Sequence, residues 1–122
     1  MEVPIYFVIR SAGATDPDTL RTYAERRLAF ALRRFENRVR HVMVRLSDIN
    51  GPKRGVDSHC SIRLRLRDVG PPIDVDAVTT WPFASITLAA KRLNAALRHE
   101  LEKAQVRVRR RRRSRFDMGA GA

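Results

Sequence analysis

The stretch Cys60-Ser-Ile-Arg-Leu-Arg-Leu-Arg-Asp68 alternates with a period of two residues. Ile62, Leu64 and Leu66 share one side, and the arginines between and after them share the other. Such alternation predicts a β-strand with one buried and one exposed face. The exposed face carries a row of guanidinium groups, here named the arginine row (Arg63, Arg65 and Arg67). Its presence raises the question of which anionic groups this chain meets.

Three further strands and two helices surround this strand in the sequence. Strand patterns cover residues 3–10, 39–48 and 73–77, each with alternating apolar positions. Asp16 and Pro17 predict the start of a helix that runs to about Phe35. A second helix is predicted from Pro82 to about Gln105 or beyond, with Thr80 as its cap. The apolar stripe of the first helix consists of Leu20, Tyr23, Ala24, Leu28, Ala31 and Phe35.

The order β-α-β-β-β-α predicts an α+β fold, similar to a double-stranded RNA-binding domain. One four-stranded mixed sheet with both helices packed on one face would bury the apolar sides of both helices and all four strands. The first two strands, joined through a helix, are expected to be parallel, and the others antiparallel. We predict one domain over residues 1–105, followed by a disordered basic, arginine-rich tail over residues 106–122.

The charge of the chain favours an anionic partner. Its 122 residues carry a net charge of +12, and the sequence pI is about 11.5. Self-repulsion at that charge opposes folding, so nucleic acid is the first expectation, an anionic membrane surface the second and a merely very soluble protein the third. No signal peptide opens the sequence and no apolar run approaches membrane-spanning length, which predicts a cytoplasmic protein without membrane contact.

Residue patterns for catalysis or metal binding are missing from the sequence. Cys60 is the only cysteine, so no internal disulfide can form, and no zinc-type spacing is present. There is no glycine-rich phosphate loop and no nucleophile elbow, and the three histidines fall on separate elements. Asp74 and Asp76 are better explained as cross-strand partners of Arg63 and Arg65. The sequence predicts a protein that is not an enzyme and uses no metal, cofactor or small-molecule substrate.

Basic residues are spread over both helices, one loop and the tail, and this distribution predicts binding to RNA phosphates. Exposed aromatic residues for stacking on bases are few, and packing is the favoured role for both Trp81 and Phe30. We therefore expect recognition of a phosphate-lined shape rather than of base sequence. The predicted RNA-binding residues are Arg21, Arg26, Arg27, Arg33, Arg34, Lys53, Arg54, Lys91, Arg92, Arg98, His99, Lys103, Arg107, Arg109, Arg110, Arg111, Arg112 and Arg113.

Residues 3–105 resemble the ribosome hibernation-promoting factor family, also called ribosome-associated inhibitors or sigma-54 modulation proteins. The resemblance lies in the order of elements, in the run 20–28 that leads to Phe35, and in the passage from the fourth strand into the second helix at residues 75–86. Phe83 stands where the family usually has tyrosine. The run 91–93 and Leu97 follow the family pattern in the second helix.

The resemblance implies a short-form factor that binds the small ribosomal subunit and its ribosomal RNA in the messenger and transfer RNA channel. Such factors inhibit translation during stationary phase or stress. Matching by position implies ribosomal RNA contacts for Arg21, Arg27, Arg92, His99 and Lys103. His99 stands where lysine is common, and an unperturbed histidine is mostly uncharged near neutral pH.

Several features depart from the family pattern. The fourth strand and the following turn have fewer carboxylates, Trp81-Pro82 is unusual, the loop 50–57 is long, and the arginine tail is extra. No C-terminal dimerisation domain follows in this sequence. The tail is either a generic basic extension that raises affinity for any RNA or a segment that blocks the messenger channel. The arginine row either contacts ribosomal RNA or, as favoured for Arg63 and Arg65, pairs with the carboxylates of the neighbouring strand.

Two other functions remain open at this stage. The first is a general binder of double-stranded RNA or DNA, which excess bulk RNA would displace from the small subunit. A site-specific factor would resist bulk RNA and would be displaced by initiator transfer RNA or messenger RNA. A regulatory protein–protein module would bind in a manner that survives high salt.

Overall fold

The structure, a computed structural model, describes residues 3–10, 15–50, 56–67 and 70–120. It confirms the predicted α+β fold and the order β-α-β-β-β-α. The elements are β1 (Ile5–Arg10), α1 (Pro17–Leu32), β2 (Val39–Asn50), β3 (Val56–Leu66), β4 (Ile73–Thr79) and α2 (Pro82–Ala120), with a short 3-10 turn at Glu36–Arg38 between α1 and β2.

The four strands form one mixed sheet in the order β1-β2-β3-β4. β1 and β2 are parallel, as expected for strands joined through a helix, and the other neighbours are antiparallel. One row of paired residues crosses all four strands through Ile5, Val42, Leu64 and Ile73. This row faces the helices and is apolar throughout, which is how the alternating sequence pattern sets the register.

The core lies between one face of the sheet and the two helices. Leu28 of α1, Leu64 of β3, and Leu93 and Leu97 of α2 are almost completely buried there. Each comes from a periodic apolar stripe, and burial of a leucine side chain stabilises the fold by about 1.5–3 kcal/mol. The opposite face of the sheet is open and polar.

Two side-chain contacts set the arrangement of the helices. The hydroxyl groups of Tyr23 and Thr87 lie 2.6 Å apart, and the side-chain amide of Asn94 donates to the carbonyl of Ala31 at 2.7 Å. These pairs are 64 and 63 residues apart in sequence, so α1 and α2 run in the same direction with a constant offset. Asn94 also satisfies a carbonyl in the last turn of α1, where no helical donor remains.

The helix starts are partly as expected. α1 begins at Pro17 after Asp16, whose carboxylate accepts a hydrogen bond from the Thr19 hydroxyl at 3.2 Å and makes no cap bond to a backbone N–H. The expectation that Thr80 caps α2 is wrong. The Thr79 hydroxyl accepts from the Trp81 N–H at 3.2 Å, and the Trp81 carbonyl accepts the bond from Ser85 N–H that opens the helix.

α2 is longer than the sequence predicted. It continues past the expected end near Gln105 to Ala120, so residues 106–120, here named the arginine-rich extension, are helical where a disordered tail was expected. The reason is that helix nucleation is already accomplished by the packed part of α2, and propagation needs only tolerant residues. Arginine is a good helix former, and no glycine or proline occurs between Pro82 and Gly119.

We predict that Val108→Pro ends α2 within the arginine-rich extension while leaving every arginine in place. Proline lacks the N–H and clashes with the carbonyl of Ala104 one turn earlier. Far-ultraviolet circular dichroism should lose helical signal, while the melting temperature of the domain changes little because Val108 is exposed. Val108→Ala is the matched control and should keep the signal. Equal helical signals for the two variants would contradict a helical extension in solution.

A second prediction concerns Cys60, which is buried in β3. Burial raises the pKa of its thiol from 9.0 to about 12. The folded state therefore holds the proton more tightly than the unfolded chain does, and the associated stability is complete below pH 9 and declines as the pH rises from about 9 to about 12. Urea titrations across this range should show an alkaline loss of stability that Cys60→Ala lacks. At pH 8, a disulfide reagent should label the native thiol no faster than the protein unfolds.

Candidate nucleic-acid interface

The seam between the two helices carries four basic side chains, here named the seam cations (Arg27, Arg34, Lys91 and Arg98). Each lies three or four residues after one of the four residues that join the helices, which are Tyr23, Ala31, Thr87 and Asn94. The offset of 64 residues that joins Tyr23 to Thr87 also places Arg27 level with Lys91, while Arg34 lies in the turn just after α1. The packing of α1 on α2 therefore aligns cations that lie far apart in sequence.

The seam cations are available to an external anion. Arg34, Lys91 and Arg98 are exposed, and Arg27 is half-buried. Within the described residues, none of the four forms an ion pair. The Nε atom of Arg27 is buried and has no hydrogen-bond partner there. A buried donor without a partner is uncommon, and a bound phosphate oxygen would satisfy it.

A second group of predicted residues lies on the other flank of α2. Arg92, His99 and Lys103 share a helix face, as the sequence indicated, and all three are exposed. Arg92 donates to the backbone carbonyl of Asp76 on the edge strand β4 at 2.7 Å, and Lys103 lies 3.8 Å from Glu100. This β4 flank is separate from the seam, so the predicted α2 residues divide between two surfaces, and Arg92 is already engaged.

The other predicted residues of α1 and its end are also divided. Arg21 lies on the β1 side, where its guanidinium stands 5.3 Å from the centre of the Phe7 ring and pairs with Glu25 at 3.8 Å. Arg26 and Arg33 are exposed on the solvent side of α1, next to the seam. Lys53 and Arg54 lie outside the described residues. In the arginine-rich extension, the predicted residues Arg107, Arg109, Arg110, Arg111, Arg112 and Arg113 are all exposed.

Among the described residues, the arginine row pairs with the neighbouring strand at one position, Arg63. Arg63 makes two hydrogen bonds to the Asp74 carboxylate, at 2.7 and 3.1 Å, and the hydrogen bond together with the opposite charge raises the pKa of Arg63. The expected pairing of Arg65 with a carboxylate of β4 is absent from the described residues. Asp76 lies 3.3 Å from His59 instead. The register explains this, because the β3–β4 pairing stops at Leu64 and leaves Arg65 without a residue of β4 opposite it.

The open sheet face contains residues that the sequence reasoning passed over. Tyr6 and Arg45, on β1 and β2, extend the surface that was considered only for β3. Arg45 also lines a concavity of about 650 Å³ on this face, together with His41, Met43, Arg63, Arg65 and Asp76. The alternating pattern of β1 and β2 already indicates that Tyr6 and Arg45 lie on the exposed face. The order of the strands in the sheet is needed to show that they lie beside the arginine row.

The two aromatic residues that were expected to pack are both exposed. Phe30 is 73% exposed and lies beside the seam, so the packing role expected for it is wrong. Trp81 is 56% exposed, although its ring does contact Phe83, with 5.5 Å between the ring centres. Aromatic surface is therefore available next to the cations of both helices.

Metal-binding and membrane-spanning features are absent from the described ranges. There, no three histidine, cysteine or acidic side chains are grouped to hold a metal ion. No helix in this part of the chain is both long and apolar enough to cross a membrane.

Comparison with known proteins assigns the chain to a family. Residues 7–105 match the family described as sigma 54 modulation protein / S30EA ribosomal protein. The chain belongs to this family. The resemblance inferred from the sequence is thereby confirmed, and the matched residues include both helix flanks of the seam. The arginine-rich extension follows the last matched residue.

Two solved structures are similar in fold to this member of the sigma-54 modulation family. The N-terminal domain of Protein Y from Thermus thermophilus is 22% identical, with 76% of this chain and 93% of that chain covered and a TM-score of 0.55. A ribosomal subunit interface protein from Coxiella burnetii is 15% identical, with 83% and 98% covered and a TM-score of 0.56. At these identities the likeness shows a shared fold. The comparison with curated proteins gives no match.

Proposed function

We propose that this protein is a non-enzymatic, cytoplasmic factor that binds the small ribosomal subunit through its ribosomal RNA. It occupies the messenger and transfer RNA channel and inhibits translation under stress or in stationary phase. Family membership and the name of the similar structure from Coxiella burnetii, a ribosomal subunit interface protein, support a ribosomal partner. The observation that carries the proposal is the row of unpaired seam cations on a helix pair within the family-matched domain.

The physical basis is electrostatic binding to a shaped polyanion. A cation that contacts phosphate releases condensed counterions, so affinity falls as salt rises. Phosphate contacts position a protein without reading sequence, and the parallel helix pair holds Arg27, Lys91 and Arg98 in a fixed arrangement. A rigid arrangement of this kind selects an RNA surface by shape. Occupation of the channel would then exclude messenger and transfer RNA by steric overlap.

The arginine-rich extension favours the alternative of a general RNA- or DNA-binding protein. Arg107 and the five arginines at 109–113 are exposed and lie outside the family-matched residues. Such a segment raises affinity for any nucleic acid without choosing a site. A regulatory protein–protein module is the remaining alternative, and salt-resistant binding would identify it.

Removal of the arginine-rich extension separates these functions. We expect residues 1–105 to bind purified small subunits with one copy per subunit, more weakly than the full chain, and to be displaced by initiator transfer RNA. Co-sedimentation at physiological salt measures both properties. Binding by the full chain alone, without saturation and with competition from bulk RNA, would identify a general nucleic-acid binder.

A pair of charge-matched variants tests the seam. Lys91→Gln/Arg98→Gln removes two seam cations, and Arg45→Gln/Arg65→Gln removes two exposed cations from the open sheet face. We expect only the seam variant to reduce the slope of log affinity against log salt, by about 1.4–1.8 for two lost phosphate contacts. Equal losses would show that net charge alone determines binding, and a loss confined to the sheet variant would move the interface to the open face.

A further inference from the structure

We propose that Phe30 stacks on an unpaired RNA base while the arginines around it hold the adjoining phosphates. This assignment rests on the proposed function, because it adds a base contact to the same helix surface. A base that stacks on Phe30 cannot be stacked within a duplex. The interface would therefore select unpaired RNA as well as bind phosphates.

The position of Phe30 on α1 leaves its ring in solvent. The buried stripe of α1 runs through Leu20, Ala24, Leu28 and Ala31, and Phe30 lies away from it with 73% exposure. A single exposed apolar residue is common on protein surfaces and means little by itself. What surrounds Phe30 distinguishes it.

Four arginines surround Phe30 along the chain. Arg26 and Arg27 precede it by four and three residues, and Arg33 and Arg34 follow it by three and four. Arg26 and Arg27 are neighbours of Phe30 on the helix surface, whereas Arg33 and Arg34 lie in the turn just after the last helical residue, Leu32. Basic residues therefore precede and follow the ring. None of these arginines forms an ion pair among the described residues, so an external anion would lower their mutual repulsion.

The ring of Phe30 has a free face. In the described part of the chain, the aromatic contacts join Tyr6 to His41 and Phe83 to Tyr23 and Trp81. The guanidinium found over a ring there is that of Arg21, over Phe7. Phe30 therefore has no stacking partner within those ranges. The unpartnered Nε of Arg27, three residues away, adds a donor that a phosphate oxygen would satisfy.

An RNA base fits this surface better than a protein partner does. Stable protein interfaces bury about 800 Å² on each side, and their centres are poor in charge. A phenylalanine side chain supplies only about 150–250 Å², and here it is enclosed by cations. An aromatic ring beside arginines is instead the usual arrangement for single-stranded RNA, where each base offers a π-face and each nucleotide a phosphate.

Salt titrations of Phe30 variants on purified small subunits test the proposal. Phe30→Leu keeps an apolar side chain but removes the ring, and we expect it to weaken binding about 5- to 100-fold. The slope of log affinity against log salt should stay unchanged, because no phosphate contact is lost. Phe30→Tyr should bind within about twofold of the wild type. Arg26→Gln should instead lower the slope by about 0.7–0.9.

The possible outcomes separate the two proposals. If the wild type does not bind small subunits, the proposed function fails and this inference fails with it. If the wild type binds and Phe30→Leu binds equally well, only the stacking role is overturned. Phe30→Leu could also weaken binding to intact subunits while leaving binding to protein-free small-subunit RNA unchanged. That result would place Phe30 against a ribosomal protein and would also overturn stacking. Melting curves should be equal for the wild type and Phe30→Leu, since the ring is exposed.

Discussion

Leu28 of α1 and Leu93 and Leu97 of α2 are buried against the same face of one sheet, and this shared burial determines where the charges of the molecule lie. Because both apolar stripes occupy one sheet face, the helices must lie side by side. Their basic residues are then forced outward along the seam and the β4 flank. The amide of Asn94, bonded to the carbonyl of Ala31, sets the relative height of the two rows.

The charge distribution has an energetic consequence. A net charge of +12 on this small domain opposes folding, and internal ion pairs offset little of it. Arg63 with Asp74 is the well-formed pair of the open sheet face. The seam cations and the arginine-rich extension remain uncompensated within the described residues. A polyanion that contacts these surfaces lowers the repulsion as it binds, so stability and binding are coupled.

A property of a residue was predicted correctly where it depends on its own helix or strand, and was missed where it depends on the packing of several elements. Helix and strand periodicities predicted the fold correctly, since they report which face of each element is buried. The face shared by Arg92, His99 and Lys103 was also predictable, because it depends on helix geometry alone. The lack of a β4 partner for Arg65 among the described residues was not predictable, because it depends on where β4 begins relative to β3. The same holds for the exposure of Phe30, which depends on what packs around α1.

The sequence by itself determined the fold class and the basic character of the surface, because both follow from composition and from periodic patterns within single elements. It also indicated the family, through the resemblance of residues 3–105 to known members. Only the tertiary structure decided which cations meet. Arg27 and Lys91 are level across the seam because two helices pack in parallel with a fixed offset, and that offset is set by contacts between residues more than 60 positions apart. The length of α2 was likewise decided by tertiary packing, since a helix already anchored on the sheet continues through arginines that would not nucleate one.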